Sequence, residues 1–365
     1  MRPLPFRDPF FTYRHRKAIH TFRALVALAL TLLALHLLDL PHGSWALVSV
    51  LMVMGGLPHI GGVLEKGLQR LAGTIMGGVI GIVLLLTPLP INTIPICMLG
   101  VICIATYTTF ASRYSYSIAM FNITLVMVLG DGNPDISVAV WRSCNVILGT
   151  CIAIAVTVVV QPQKATDVMR FLLAGNLDRL ARVYRIHSRT GDYESTDTGE
   201  LMKQASNRLI AQRGLVDAVH REGRLKRGVL NEILSLERHM ISTIELLLET
   251  HWDTKDGHTL IEGMTGLREE QRKLAEALGT LAYEIRTGQL INLDVIPFNL
   301  QQYAEVAMHA QTESGRTLFS PSGYLWLNRE LGQQTMALVA VLGNIQRLPS
   351  QRLRKRAKRG HLICD

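Results

Sequence analysis

Six apolar runs crowd into the first 160 residues, at 24–38, 45–57, 71–86, 94–110, 117–130 and 146–160. With their flanks, each approaches the roughly 20 residues that cross ~30 Å of hydrocarbon. Packing all six as the core of a water-soluble domain would leave almost no polar surface. The runs therefore predict a six-helix membrane domain over residues 24–162. The first run is not expected to be a cleaved leader, because no small-x-small site follows "LALHLLDLPHG" and five more runs come after it.

Charge divides the chain at the same place. Residues 1–162 carry ten Lys/Arg and five Asp/Glu, and residues 163–365 carry the other 28 and 24. Four segments follow: a basic segment 1–23, the membrane domain 24–162, a second domain 163–348 and a basic tail 349–365. Five cysteines show no paired spacing, and four of them sit in apolar runs as small hydrophobes.

Loop charge sets an expected orientation. Arg2, Arg7, Arg14, Arg16, Lys17 and Arg23 precede the first run, Lys66 and Arg70 are read as a loop after the second, and Arg113 follows the fourth. "DLPHGS" and "TPLPIN" hold no Lys or Arg, and "DGNPDISVAVW" is acidic. Basic loops stay inside, so both termini and the second domain are expected to be cytoplasmic. Arg142 alone lies on the other side.

Arg142 also belongs to a repeat. At an offset of 76, Gly56-x-Pro58 aligns with Gly132-x-Pro134, Lys66 with Arg142, and Gly73-Thr74 with Gly149-Thr150. Each unit has three runs, an odd number, so the halves, about 24–86 and 94–160, must be inverted. Inverted repeats recur in secondary transporters, with the path at their interface. Pro58 and Pro134 end the short middle runs, where helix breaks line a cavity or simply turn the chain. Gly73, Gly77 and Gly81 step at four residues, as do Gly149 and Ala153, and this spacing suits close helix packing.

Polar groups in or beside the runs supply the candidate path: Lys66, Arg70, Asn122, Thr124, Arg142 and Asn145, with Thr74 and Thr150 on the packing faces. Fixed cations at a pore mouth concentrate organic anions. No acidic residue lies inside a run, so the usual proton-coupling carboxylate is missing.

Several of these stretches resemble a known family. "GSWALVSVLMVM", "EKGLQRLAGTIMGGVIG", "AVWRSCNVILGT" with "CIAIAV" to "QP", and "SGYLWLNRE" near the C-terminus look like the fusaric-acid-resistance and aromatic-acid-exporter family, in its short, single-unit bacterial form. The resemblance implies a six-span unit, a cytoplasmic helical domain, a bacterial inner-membrane location and efflux of aromatic or other carboxylates. It places Trp45, Lys66, Arg70, Gly73, Thr74, Gly77, Arg142 and Gly149 on motif positions. Long members carry two such units and this chain has one, which implies a homodimer.

From residue 163 the apolar residues recur at three- and four-residue steps, which predicts an all-α bundle. Asp197 with Glu200 reads as a helix-capping pair. His251, Asp253, Asp256 and His258 crowd one loop without cysteine or ligand spacing, so no metal and no cofactor are expected. The absence of any Gly-Lys pair excludes a P-loop. Arg352, Arg354, Lys355, Arg356, Lys358 and Arg359 form a tail suited to an anionic leaflet rather than to nucleic acid. The expected whole is a non-enzymatic transporter whose partners are the bilayer, a small organic anion and a second copy. Two other readings stay open: a membrane-anchored scaffold and a passive anion channel.

Overall fold

A computed structural model describes residues 9–56, 59–88, 90, 93–110, 112, 114–129, 136–188, 198–222, 225–249, 266–295, 298–299, 303 and 321–360, with the side chains of 138–139, 321–322 and 347–360 set aside. Pro58, Arg113, Pro134, Asp197 and the 251–258 loop lie outside them. The described residues are mostly helical, with no strand among them. The chain divides into two compact units, Met1–Asp167 and Val168–Asp365.

The first unit holds α1 (Pro9–Arg14), α2 (Arg16–Leu38), α3 (Ser44–Met54), α4 (Ile60–Leu86), α5 (Ile94–Thr109), α6 (Ser115–Leu129) and α7 (Ile136–Val159). Three of these are long and apolar enough to cross a membrane: α2, α4 and α7 over Val140–Val159. Besides the short α1, the remaining apolar helices α3, α5 and α6 have 11, 16 and 15 residues, close to the expected runs 45–57, 94–110 and 117–130. The end of α3 is set locally. Gly55 donates to Leu51 O at 2.7 Å and Gly56 takes φ +75°, a left-handed turn that stops the helix. One correction concerns Lys66 and Arg70. They lie in no loop, because α4 already begins at Ile60 and carries both inside its first three turns.

Packing in this unit is crossed between the trios. α4 lies against α6 and α7, α7 lies against α3 and α2, and α3–α2 and α5–α6 form the flanking pairs. Glycine sets the separations. A Cβ on Gly73 would run into Ser117 O and lie 2.9 Å from Met120 Cβ, and one on Gly77 would lie 2.7 Å from Phe121 O. Gly149 abuts Ala46 in the same way, with the Ala46 carbonyl against the added carbon.

In the second unit α8 (Ala165–His187), whose first turn holds the division, is followed by α9 (Thr198–Arg213), α10 (Val216–Arg221), α11 (Arg227–Glu249), α12 (Leu267–Thr287) and α13 (Pro321–Gly360). The inner face of α11 runs Leu230, Ile233, Leu234, Glu237, Met240, Ile241, Ile244, Leu247, at helical period. A buried polar chain ties α8, α12 and α13 together. Tyr184 Oη donates to Asn328 Oδ1 at 2.5 Å, and Gln271 Nε2 donates to the same oxygen at 3.0 Å and to Tyr324 Oη at 2.8 Å. This gives "SGYLWLNRE" a physical reason: Tyr324 and Asn328, four apart, turn inward while Trp326 stays exposed. The backbone of α13 continues through 349–360, so the basic tail is helical, with its side chains outside the described set.

Candidate functional site

The site begins at Arg70. Its side chain is 4% exposed; Nε donates to Ser49 Oγ at 3.2 Å and Nη1 to Met120 Sδ at 2.9 Å. Ser49 in turn donates to Trp45 O at 2.6 Å. One guanidinium on α4 thus joins α3 and α6, but its acceptors are a hydroxyl and a thioether, the latter weak. Arg142, on α7, is 5% exposed, with its Cζ 3.9 Å from the centre of the Trp45 ring. Such a contact attracts a cation, yet Arg142 Nε has no hydrogen-bond partner. The charge whose repulsion reaches Arg142 is Arg70.

Neither cation has a carboxylate partner among the described residues. The acids among the described residues of 9–162 are Asp39 and Glu65. Asp39 is exposed at the end of α2, and Glu65 accepts from Gln69 Nε2 at 3.2 Å. Two buried, mutually repelling cations in a low-dielectric interior are costly unless an anion joins them. Register sets their stagger. Gly67 faces Thr150 and Ile154, and Gly78 faces Ser143. The backbones at Arg70 and Arg142 are therefore offset by about 12 Å along the antiparallel α4–α7 pair, at 1.5 Å per residue, while their side chains converge on one turn of α3, Ser49 and Trp45.

Lys66 is not Arg142's equal in burial. Half-buried, it donates to Gly55 O at 3.4 Å, at the C-terminal end of α3, with Nζ 5.8 Å from the centre of the Tyr116 ring. Lys66 on α4 thus lies over the second residue of α6, and Arg142 on α7 over the second residue of α3. Both aromatics follow a serine, Ser115 and Ser44.

The other predicted residues fall in several places. Asn145 is fully buried and donates to Pro41 O at 2.8 Å and His42 O at 3.3 Å, holding the α2–α3 loop. Thr124 donates to Met120 O of its own helix at 2.8 Å, beside Gly77. Asn122 turns away to Thr106 Oγ1 at 3.2 Å, toward α5. Thr74 is buried, and Thr150 is buried with Oγ1 unpartnered. Gly81 meets Val128 across α6. The sequence pattern did not single out Ser49, Tyr116 or Met120. The matching Ser-aromatic starts of α3 and α6 were the available signal. Among the described residues no group of His, Cys, Asp and Glu could hold a metal.

Spanning-length apolar helices around buried cations that have no counter-charge among the described residues define an α-helical membrane protein. The chain belongs to the fusaric acid resistance protein family, whose model matches residues 17–361. It is 25% identical over 331 residues to Inner membrane protein YeeA of Escherichia coli (strain K12), covering 88% of this chain and 92% of that one. Over 218 residues it is 26% identical to Aluminum-activated malate transporter 2 of Arabidopsis thaliana, covering 54% of this chain and 42% of the relative. Uncharacterized transporter YdhK of Escherichia coli (strain K12) is 25% identical over 329 residues, 84% of this chain and 46% of its own length. The chain thus spans less than half of the last two. Family and relatives place it among membrane transporters and not among enzymes.

Proposed function

We propose that the chain moves small organic anions, with carboxylates of aromatic or dicarboxylic type as the class, outward across a bacterial inner membrane. The observation that carries this reading is the pair Arg70 and Arg142, buried on facing helices with no carboxylate among the described residues to neutralise them. A carboxylate supplies the missing charge and accepts the free guanidinium N–H groups in a charge-assisted hydrogen bond.

The path runs along the seam between two inverted trios, α2–α4 and α5–α7. Exchanged contacts support this relation: α4 on α6 against α7 on α3, and Gly73 on α6 against Gly149 on α3. The exchanged cation–aromatic pairs, Lys66–Tyr116 and Arg142–Trp45, support it as well. On this reading all six helices take part in the membrane domain, the short ones meeting polar surroundings at their ends. Both termini are cytoplasmic and two copies associate. The tail 352–359 adsorbs to anionic lipid. The inner-membrane setting follows the YeeA relative, an inner membrane protein.

Reconstituted vesicles test the reading. Arg142→Gln and Arg70→Gln should each lower benzoate or malate flux about ten-fold or more, the loss of one charge-assisted hydrogen bond, with insertion unchanged. Normal flux in both variants would remove the electrostatic role.

A further inference from the structure

The bulkiest fully buried side chain among the described residues is an arginine that the loop-charge reading assigned to the cytoplasmic edge. Arg23 lies in the second turn of α2 and is 1% exposed. It shares one face of that helix with Ile19, Ala27 and Thr31, and α2 packs on α7 and α3. Its Nε and Nη2 are sealed from solvent and have no hydrogen-bond partner. No ion pair or hydrogen bond to Arg23 occurs among the described residues. The titratable group its charge reaches is His20, which cannot neutralise it.

Nε and Nη2 together form one edge of the guanidinium, the edge that takes a carboxylate or phosphate through two parallel hydrogen bonds. An enclosed cation with that edge unpartnered is a costly arrangement for a fold and a suitable one for an oxyanion. The polar groups around this end of the unit point the same way. Gln163, just past α7, is buried with both Nε2 and Oε1 unpartnered, and its backbone oxygen receives Ile60 N at 3.0 Å, joining the end of α7 to the start of α4.

An apolar cluster of Ala27, Val50, Val53, Met54, Val63, Ala153 and Val156 lies between this end and the Arg70 level. Ser49, which holds Arg70, is one turn before Val53 on α3, and Ala27 is one turn beyond Arg23 on α2. We propose that Arg23 is a second oxyanion site of the membrane unit, binding a small carboxylate on its Nε/Nη2 edge across that apolar cluster from Arg70. Its standing as a station on a transport path rests on the function proposed above, whereas the site itself does not.

The test uses the full chain in detergent and halide-free buffer, with benzoate as probe and thermal stability as readout. In the Arg70→Gln/Arg142→Gln background, benzoate should still raise the melting temperature, and adding Arg23→Gln should abolish that rise, or weaken the apparent affinity about ten-fold or more. Without benzoate, Arg23→Gln should melt no lower than its parent, since it removes an unpaired buried charge. Arg23→Lys should keep part of the response. An unchanged benzoate titration in Arg23→Gln overturns the proposal. So does a low-melting Arg23→Gln that Arg23→Lys rescues with no change in benzoate response, because that is a structural arginine. Phosphatidylglycerol micelles form a separate arm. Stabilisation by the lipid and not by benzoate, lost in Arg23→Gln, overturns the small-carboxylate assignment. Wild-type vesicles that move no benzoate while the Arg23-dependent stabilisation persists would remove the path and uphold the site.

Discussion

Glu237 is the buried acid among the described residues of the second unit. It is fully buried on α11, and both neighbouring amides donate to a single oxygen: Asn176 Nδ2 at 2.6 Å and Gln212 Nε2 at 2.8 Å to Oε1. Oε2, Asn176 Oδ1 and Gln212 Oε1 are left as acceptors without donors. One proton on the carboxyl supplies a missing donor. Burial pushes the group up from 4.5 to about 7, and the two amide hydrogen bonds hold it down only in part. The folded unit therefore takes up its proton near pH 7 and the unfolded chain only near 4.5. Stability contributed by the protonated form is fully present below the unfolded value and is lost as pH rises through about 7. The whole span is worth about 3 kcal/mol as an upper figure. Glu237→Gln, which keeps the shape and supplies an N–H, should flatten the melting temperature of this unit between pH 5 and 8 and raise it at pH 8. Melting curves followed by circular dichroism check both. None of this was legible in the sequence, where Glu237 is one more acid in a charged helix; only the packed helix shows that it falls on the inner face. Arg23 failed for the same reason, since a basic residue before an apolar run reads as a loop charge until α2 is seen to begin at Arg16.

Helices were more readable than single side chains, because periodicity and glycine spacing are properties of a whole stretch. The close-packing role suggested by Gly73 and Gly149 has a specific geometry here. Each opposes backbone of a short helix, Ser117 and Phe121 for Gly73, Ala46 for Gly149. Backbone cannot rotate aside as a side-chain end can. Gly73→Ala and Gly149→Ala should therefore each destabilise the membrane unit by about 1–3 kcal/mol or more, read as a lower melting temperature in detergent. Gly100→Ala on α5, where an added carbon meets nothing within 4 Å, should be neutral or slightly stabilising. Gly81→Ala, which meets only the Val128 side chain, should fall between them. Equal losses at Gly73 and Gly100 would mean that helix propensity, not helix approach, decides. The starts of the charged helices were misjudged for a related reason. Hydropathy sees α4 only from residue 71, where its charges end, although the helix begins at Ile60. The backbone continues through Lys66 and Arg70 because neither residue breaks a helix and α3 and α6 receive them.

At the scale of the molecule, the uneven charge of the two halves corresponds to two units with separate interiors. The membrane unit is held by apolar clusters and glycine contacts, such as Leu125 and Phe121 against α4 and α5. The second unit is held by α8, α11, α12 and α13 around a polar chain from Tyr184 to Gln271. Their stabilising terms differ in kind, so they should respond to different perturbations. Calorimetry of the full chain in detergent is expected to show two heat-absorption events rather than one, as multi-unit chains depart from two-state behaviour. Lowering pH from 8 to 6 should shift only the event belonging to the second unit, upward, because Glu237 takes up its proton in that range. Gly149→Ala should shift only the other, downward, and benzoate should raise that same event and leave the pH-sensitive one in place. The assignment is internally checked, since Glu237→Gln must cancel the pH shift without touching the response to benzoate. A single event that moves with all three perturbations would mean that the two units unfold as one, and the separate treatment of their energetics would have to be given up.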